Sequence, residues 1–281
     1  MRLLIFGPGY VGLAFARRMR AAGWSVVASA RSAEGAAALA AAGVEPVALP
    51  GVPDAARAAD AILVTAAPDE LGCPALPFVA AGLDGDGAGR WIGYLSSTGV
   101  YGDRAGGWVF EHSALLAQSV VGARRVAAEH DWQVLGARTG AAVVAFRLPG
   151  IYGPTRSAFD RLRDGTARRI VRLGQVFSRI HVNDLCAGLE ASLARPRPGA
   201  AYNLCDDEPG PPQDVITEAA RLLDVAPPPE IPFGAADVPA ASQRFFAESK
   251  RVSNALAKAE LGWRPAYPTY REGLRAILAA G

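Results

Sequence analysis

The sequence is poor in cysteine, in long apolar runs and in excess charge of either sign, and each shortage removes a class of function. Cys73, Cys186 and Cys205 stand far apart with no CxxC pair. Neither a disulfide framework nor a zinc site is indicated, and a reducing cytoplasm is the expected setting. The N-terminal run 2–6 stops at a glycine; it is too short for a signal segment and far short of the roughly 20 apolar residues that span a bilayer. Lys and Arg number 29 against 27 Asp and Glu, a net charge of +2. That balance gives no electrostatic reason to expect nucleic acid or a membrane as partner, so a small molecule is expected. No repeat or heptad array is present. His112 and His130 have no carboxylate or cysteine at metal-ligand spacing, and a calcium loop begun at Asp84 would need Glu where Leu95 stands. No metal is expected.

The 281 residues suit one large domain or a domain with an appended lobe. Residues 2–6 read as a strand, followed by Gly7, Pro8, Gly9, Tyr10, Val11 and Gly12. From Tyr10 the spacing is helical, with Arg17, Arg18 and Arg20 on one face and Gly23 as its stop, and 24–29 read as a second strand. Strand, GxGxxG, helix and strand within about thirty residues is the dinucleotide fingerprint in its proper context. Gly7 permits the tight turn, Gly9 lets backbone approach a pyrophosphate, and Gly12 lets the helix pack against the strand. The helix N-terminus offers N–H groups and a positive dipole end to the phosphates. An NAD site would carry Asp or Glu at the end of the second strand, but the chain has Arg31 followed by Ser32. Arginine there suits a 2′-phosphate, so NADP is expected in preference to NAD.

Further strand-like runs recur at 44–49, 61–66, 90–96, 142–148 and 200–204, with helical stretches such as 32–42 and 119–130 between them. The alternation predicts an α/β fold, a Rossmann-type doubly wound parallel sheet. After Pro149 the composition shifts: 161–172 is arginine-rich, 208–212 and 227–232 are proline-rich, and a helical tail is expected over 249–261. The expected organisation is a dinucleotide-binding domain over 1–154, completed by 180–205. Segments 155–179 and 206–281 then form a smaller C-terminal substrate lobe.

Several motifs in one order resemble the extended short-chain dehydrogenase/reductase superfamily, the NAD-dependent epimerase/dehydratase group. Besides the glycine loop they are Ala66-Ala67-Pro68, the stretch from Tyr94 through Ser97 and Tyr101 to Gly102, and Arg147-Leu148-Pro149-Gly150-Ile151-Tyr152-Gly153-Pro154. They continue with Arg179-Ile180-His181-Val182-Asn183-Asp184, Tyr202-Asn203-Leu204 and a tail from Glu260 to Leu274. The resemblance implies that Ala66, Ala67, Pro68, Arg125, Pro149 and Ile151 join the glycine loop in the cofactor site. It also implies a homodimer formed through two helices flanking the sheet.

The family's Tyr-x-x-x-Lys pair is missing. Only Lys250 and Lys258 exist, with Phe246 and Asn254 four residues before them; alignment of the relevant helix puts Val121 at the tyrosine position and Arg125 at the lysine position. Valine moves no proton, and arginine is too basic to shuttle one. The chain therefore resembles the atypical members of the superfamily, and loss of a positioned general acid forfeits about 10²–10⁴ in rate. Ser97, at the family's catalytic serine position, and Tyr101 are the candidate catalytic residues, with Tyr152 and Ser178 as outside candidates. Ser97-Thr98-Gly99 lacks the carboxylates of a dehydratase. His181 and Asp184 look like a general-base pair, but the resemblance gives Asp184 a capping role. Arg161, Arg163, Arg168, Arg169 and Arg172 outnumber Asp160 and Asp164, a cradle for a phosphate or carboxylate. Arg168, Arg169 and Arg179 are the expected substrate contacts. Phe177 stands where UDP-sugar epimerases carry an arginine, which counts against a nucleotide-sugar substrate. Two functions stay open: an NADP-dependent oxidoreductase or epimerase acting on a small polar carbonyl or sugar-like compound, and a non-catalytic NADP-binding sensor or assembly protein.

Overall fold

A computed structural model describes residues 1–235, 238, 243 and 245–280; the other positions of the expected lobe lie outside the described residues. The chain runs β1 (Arg2–Phe6), α1 (Tyr10–Ala21), β2 (Ser25–Ala30), α2 (Ala33–Ala41), β3 (Glu45–Ala48), α3 (Val52–Arg57), β4 (Ala61–Val64), α4 (Leu76–Leu83) and β5 (Trp91–Ser97). It continues with β6 (Trp108–Val109), α5 (Val120–Thr139), β7 (Ala142–Leu148), β8 (Gly150–Tyr152), α6 (Ala158–Arg163), β9 (Arg169–Val171) and β10 (Arg179–His181). Then come α7 (Val182–Ala194), β11 (Ala201–Asn203), α8 (Pro212–Leu222), β12 (Glu230–Pro232), β13 (Arg251–Val252) and helices Ala255–Leu261 and Tyr270–Ala280.

Two compact units divide the chain. The first holds Met1–Val100, Ser119–Arg147 and Cys186–Tyr202. It is built on a seven-stranded sheet of order β11-β7-β5-β4-β1-β2-β3, in which β3, β2, β1, β4 and β5 pair in parallel. This is the doubly wound arrangement expected from the alternating pattern. Strands covered on both faces read as continuous apolar runs, and Leu3, Leu4, Ile5, Ile62, Leu63 and Val64 are all fully buried. Alternate residues share a face: Leu4, Phe6, Ile62, Val64, Ile92 and Tyr94 pack with Val52, Val79, Trp132 and Leu135 from α3, α4 and α5. Each such side chain contributes roughly 1.5–3 kcal/mol by leaving water. The strand order reverses between β1 and β4, so the crevice where ligands of such sheets bind lies at the carboxyl end of β1. The glycine loop is there.

The second unit holds Tyr101–Gln118, Leu148–Leu185 and Asn203–Gly281. One of its cores joins α6, α8 and helix Tyr270–Ala280 through Phe159, Ile216, Ala219, Tyr270 and Leu274. Tyr101–Gln118 belongs to this unit, although the sequence places it within 1–154, because β6 pairs with β13 in parallel. The expected helix over 249–261 begins only at Ala255. Upstream, Ser249 donates its N–H to Asp103 and Val252 donates to Ser178 Oγ, which draws those backbone groups out of a helical ladder. α5 runs nine residues past its expected end, to Thr139, because Ala128, Trp132, Leu135 and Thr139 prolong the buried stripe. Among the described residues no helix is long and apolar enough to cross a membrane.

Candidate functional site

Gly7 follows β1 with φ +77° and a Cβ there would lie 2.9 Å from Ala66 Cβ, so both conformation and space demand glycine. Its N–H donates to Ser29 Oγ at 3.0 Å, and Thr65 Oγ1 donates to its carbonyl, which ties the loop to the ends of β2 and β4. At Gly12 an added Cβ would meet Ile5 Cγ2 at 3.2 Å, the close approach of α1 to β1. Gly9 differs: an added Cβ there would meet nothing nearer than Gly7 O at 4.0 Å. The glycine therefore keeps open space at the start of α1, where no side chain caps the helix and no acidic residue occupies the first turn. Bare backbone at the positive end of a helix fits the pyrophosphate of a dinucleotide.

Arg31 is exposed just past β2 and enters no ion pair among the described residues. Ser32 caps α2 by accepting from Gly35 N–H at 3.1 Å, so its hydroxyl already has a structural task. Ala66 and Ala67 lie at the open end of β4, while Pro68 is buried. Arg125 donates Nη1 to Leu95 O at 2.5 Å, which anchors α5 to β5 beside Ser97. Val121 lies exposed in the first turn of α5. The lysines are far along the chain in the second unit, Lys250 paired with Glu248 and Lys258 with Asp207.

Ser97 ends β5 half-buried, and its Oγ accepts from Gly99 N–H at 3.1 Å. Behind it is a buried network that the sequence did not announce. Arg147 on β7 forks onto Glu129 on α5, with Nη2 to Oε2 at 2.9 Å and Nε to Oε1 at 3.2 Å, and Ser96 donates its hydroxyl to the same carboxylate. A desolvated bidentate pair with a third hydrogen bond fixes α5 and β7 against the carboxyl end of β5.

Within the second unit, Tyr101 is fully enclosed and donates its hydroxyl to Asn203 Oδ1 at 2.8 Å. That enclosure corrects the expectation of a catalytic tyrosine: the hydroxyl faces packed interior. Pro149 is half-buried, and Ile151 pairs with Ile180 across β8 and β10. His181 accepts Asn183 N–H on Nδ1 at 3.2 Å and packs edge-on against Tyr152 and Tyr267. Burial lowers its pKa from 6.5 to about 4, so it is neutral at pH 7, with the ring proton on Nε2. Asp184 accepts from Ala266 N–H at 2.7 Å and Tyr267 N–H at 3.0 Å, which pins the segment before the last helix. The pair is structural in geometry.

The same unit contains a cavity of about 730 Å³ lined by Ile151, Tyr152, Phe177, Ser178, Tyr270 and the arginines Arg156, Arg161, Arg168 and Arg179, with Asp160 and Asp164 as its carboxylates. Arg168 and Arg179, two of the three arginines read as substrate contacts, both line it. Arg169 does not: it donates to Pro228 O and Glu230 on β12, because its strand turns that side chain to the neighbouring edge. Tyr152 buries its hydroxyl against Gly273, whose Cβ would overlap it, and burial pushes the phenol's pKa up. Ser178 Oγ is occupied by Val252 N–H at 3.0 Å. Ser29 and Thr65, which shape the glycine loop, escaped the sequence reading; a small hydroxyl residue at the end of each flanking strand was the only signal.

No family model matches the chain. Protein YeeZ of Escherichia coli K12 is 30% identical over 243 residues, which cover 81% of this chain and 85% of that protein. A 3-diazoavenalumate denitrifying reductase of a Streptomyces species is 30% identical over 166 residues, 54% of this chain, and the match spans only 52% of the reductase. A functionally unknown conserved protein from Silicibacter pomeroyi has a solved structure that superposes with a TM-score of 0.92 at 43% identity, covering 100% of this chain and 99% of that one. A putative NAD-dependent epimerase/dehydratase from Methylobacillus flagellatus gives a TM-score of 0.73 at 27% identity, covering 99% and 98%. The dTDP-glucose 4,6-dehydratase DesIV of Streptomyces venezuelae, solved with NAD and TYD bound, gives 0.80 at 20% identity over 99% and 96%, a likeness of fold.

Proposed function

Since the chain belongs to the family of protein YeeZ, with structural neighbours in the NAD-dependent epimerase/dehydratase family of short-chain dehydrogenase/reductases, we propose that it is an NADP-using oxidoreductase or epimerase. Its substrate is a small polar carbonyl or sugar-like compound. The observation that carries this reading is the open backbone at Gly9, set between a strand end and an uncapped helix. Gly7, Pro8, Gly9, Tyr10, Val11 and Gly12 hold the pyrophosphate, Arg31 and Ser32 meet a 2′-phosphate, and Ala66, Ala67 and Pro68 border the site. The preference for NADP rests on Arg31 alone. When bound, the nicotinamide supplies or accepts a hydride.

Ser97 takes the substrate oxygen, with its hydroxyl oriented by Gly99 N–H and its strand end held by Arg125 and the Glu129–Arg147 pair. With valine at the tyrosine position, the proton that accompanies hydride transfer comes from solvent. The expected turnover is accordingly about 10²–10⁴ below that of a relative with a positioned acid. A panel of aldehydes, ketones and sugar acids with NADPH, followed by nicotinamide absorbance, tests this. Ser97→Ala is expected to cut turnover at least tenfold with cofactor affinity intact; full activity in the variant returns Ser97 to a structural role.

A second reading, a non-catalytic NADP-binding protein, is favoured by one observation. Val121 stands at the tyrosine position, Tyr101 is enclosed and both lysines are ion-paired, so the family's usual proton donor is missing from its place. Tight NADPH binding with no turnover across the panel would select it.

A further inference from the structure

The cavity of the second unit has a buried cationic end and an aromatic wall. Arg179 is more than nine-tenths buried. It donates Nη2 to Gly210 O at 3.0 Å and Pro211 O at 3.5 Å, and its guanidinium lies 5.2 Å from the Tyr270 ring centre. Its Nη1 is buried with no hydrogen-bond partner among the described residues, although the residue lines the cavity. A buried donor left without an acceptor is costly, more so on a charged group, and a ligand that accepts from it recovers that cost. The nearby Asp206 is not among the cavity-lining residues, and both of its carboxylate oxygens are likewise without a hydrogen-bond partner. Its backbone N–H donates to Arg179 O at 2.7 Å, and it is the opposite charge that most offsets the burial of that guanidinium.

Of the other lining charges, Arg156 and Arg161 are exposed and the rest are committed. Arg168 donates to the carbonyls of Gly165 and Ala167, Asp164 accepts from Thr166, and Asp160 accepts from Ser157 in the cap of α6. The wall is apolar: Phe177 stacks on Phe245 with ring centres 4.1 Å apart, and both line the cavity.

We propose that this cavity takes a flat aromatic body carrying a single anionic group, the ring against Phe177 and Phe245 and the anion on Arg179 Nη1. This rests on the oxidoreductase reading above and narrows its substrate class. One buried nitrogen matches one anionic group; a diphosphate would bring a second charge with no buried partner. Carboxylate and phosphate monoester share this chemistry.

Calorimetric titration of the full chain with 3-phenylpropanoate, phenyl phosphate, 3-phenylpropanamide and UDP tests the inference, because binding is read directly and NADPH is titrated separately. Failure of the cofactor reading shows as loss of NADPH binding, and failure of this one as loss of acid selectivity. One or both aromatics with a single anionic group are expected to bind at least tenfold tighter than the neutral amide and tighter than UDP. Whichever arm binds identifies the anion. Arg179→Gln is expected to abolish that preference while leaving the amide unchanged. Should Arg179→Gln fail to fold, Phe245→Ala, at a half-exposed position, still tests the wall and is expected to weaken acid and amide alike by at least fivefold. Equal binding of acid and amide, tightest binding of UDP, no binding of any probe, or unchanged acid affinity in Phe245→Ala overturns it.

Discussion

In the proposed reading the preference for NADP turns on Arg31. It extends from the end of β2 into solvent with no competing ion pair among the described residues, and a 2′-phosphate would give it a charge-assisted hydrogen bond of about 1.5–3 kcal/mol. Arg31→Asp removes that bond and adds repulsion, so NADP affinity is expected to fall by at least about tenfold while NAD affinity holds or rises. Competition of the two nucleotides for the variant checks it, and equal losses would contradict the assignment. The strand, glycine loop and helix that carry Arg31 were legible in the sequence because their signals are local. Ser29 and Thr65 were not, since each acts on Gly7 only after distant strands are brought side by side. Tyr101 misled for the converse reason: its motif is local, but its hydroxyl finds Asn203 across the fold.

At the scale of elements, the junction of β10 and α7 shows how burial decides chemistry. His181 stands between Tyr152 and Tyr267, and desolvation lowers its pKa from 6.5 to about 4. Between those two values the unfolded chain binds a proton that the native one refuses. Stability is therefore lost as pH falls through that window, by on the order of 3 kcal/mol. Asp206, whose carboxyl is pushed well up by burial, acts in the opposite sense. It is present in wild type and His181→Gln alike, so their difference isolates the histidine. Urea unfolding at pH 7 and pH 4.5 is expected to show the larger loss in wild type, and equal losses would contradict a buried neutral imidazole. The sequence placed His181 and Asp184 together but not their surroundings, because the aromatic partners lie about 30 and 86 residues away. The tail misread has a similar cause: residues 251–252 carry helical spacing, yet β6 offers them a strand to pair with.

At the scale of the molecule, alternating strand and helix patterns sufficed for a doubly wound parallel sheet, since parallel strands buried on both faces leave a strong apolar signature; the order of its strands was not read from the sequence. The partition into units was less legible. Short strand pairs such as β6 with β13 and β9 with β12 join segments too far apart in sequence for any periodicity to reveal them. The cavity of the second unit was visible only as a surplus of arginines, and which of them face inward depends on strand register: Arg179 lines it and Arg169 does not.

The central claim is that the glycine loop holds a nicotinamide dinucleotide, and the space at Gly9 allows a direct test. A side chain fits there without steric conflict, so Gly9→Asp should fold and melt as wild type does while placing a carboxylate where the pyrophosphate sits. Calorimetric titration of both proteins with NADPH and NADH is the measurement. Wild type is expected to bind, more tightly with NADPH, and a folded Gly9→Asp to bind neither; no binding to wild type, or equal binding to the two proteins, would contradict a dinucleotide at the glycine loop.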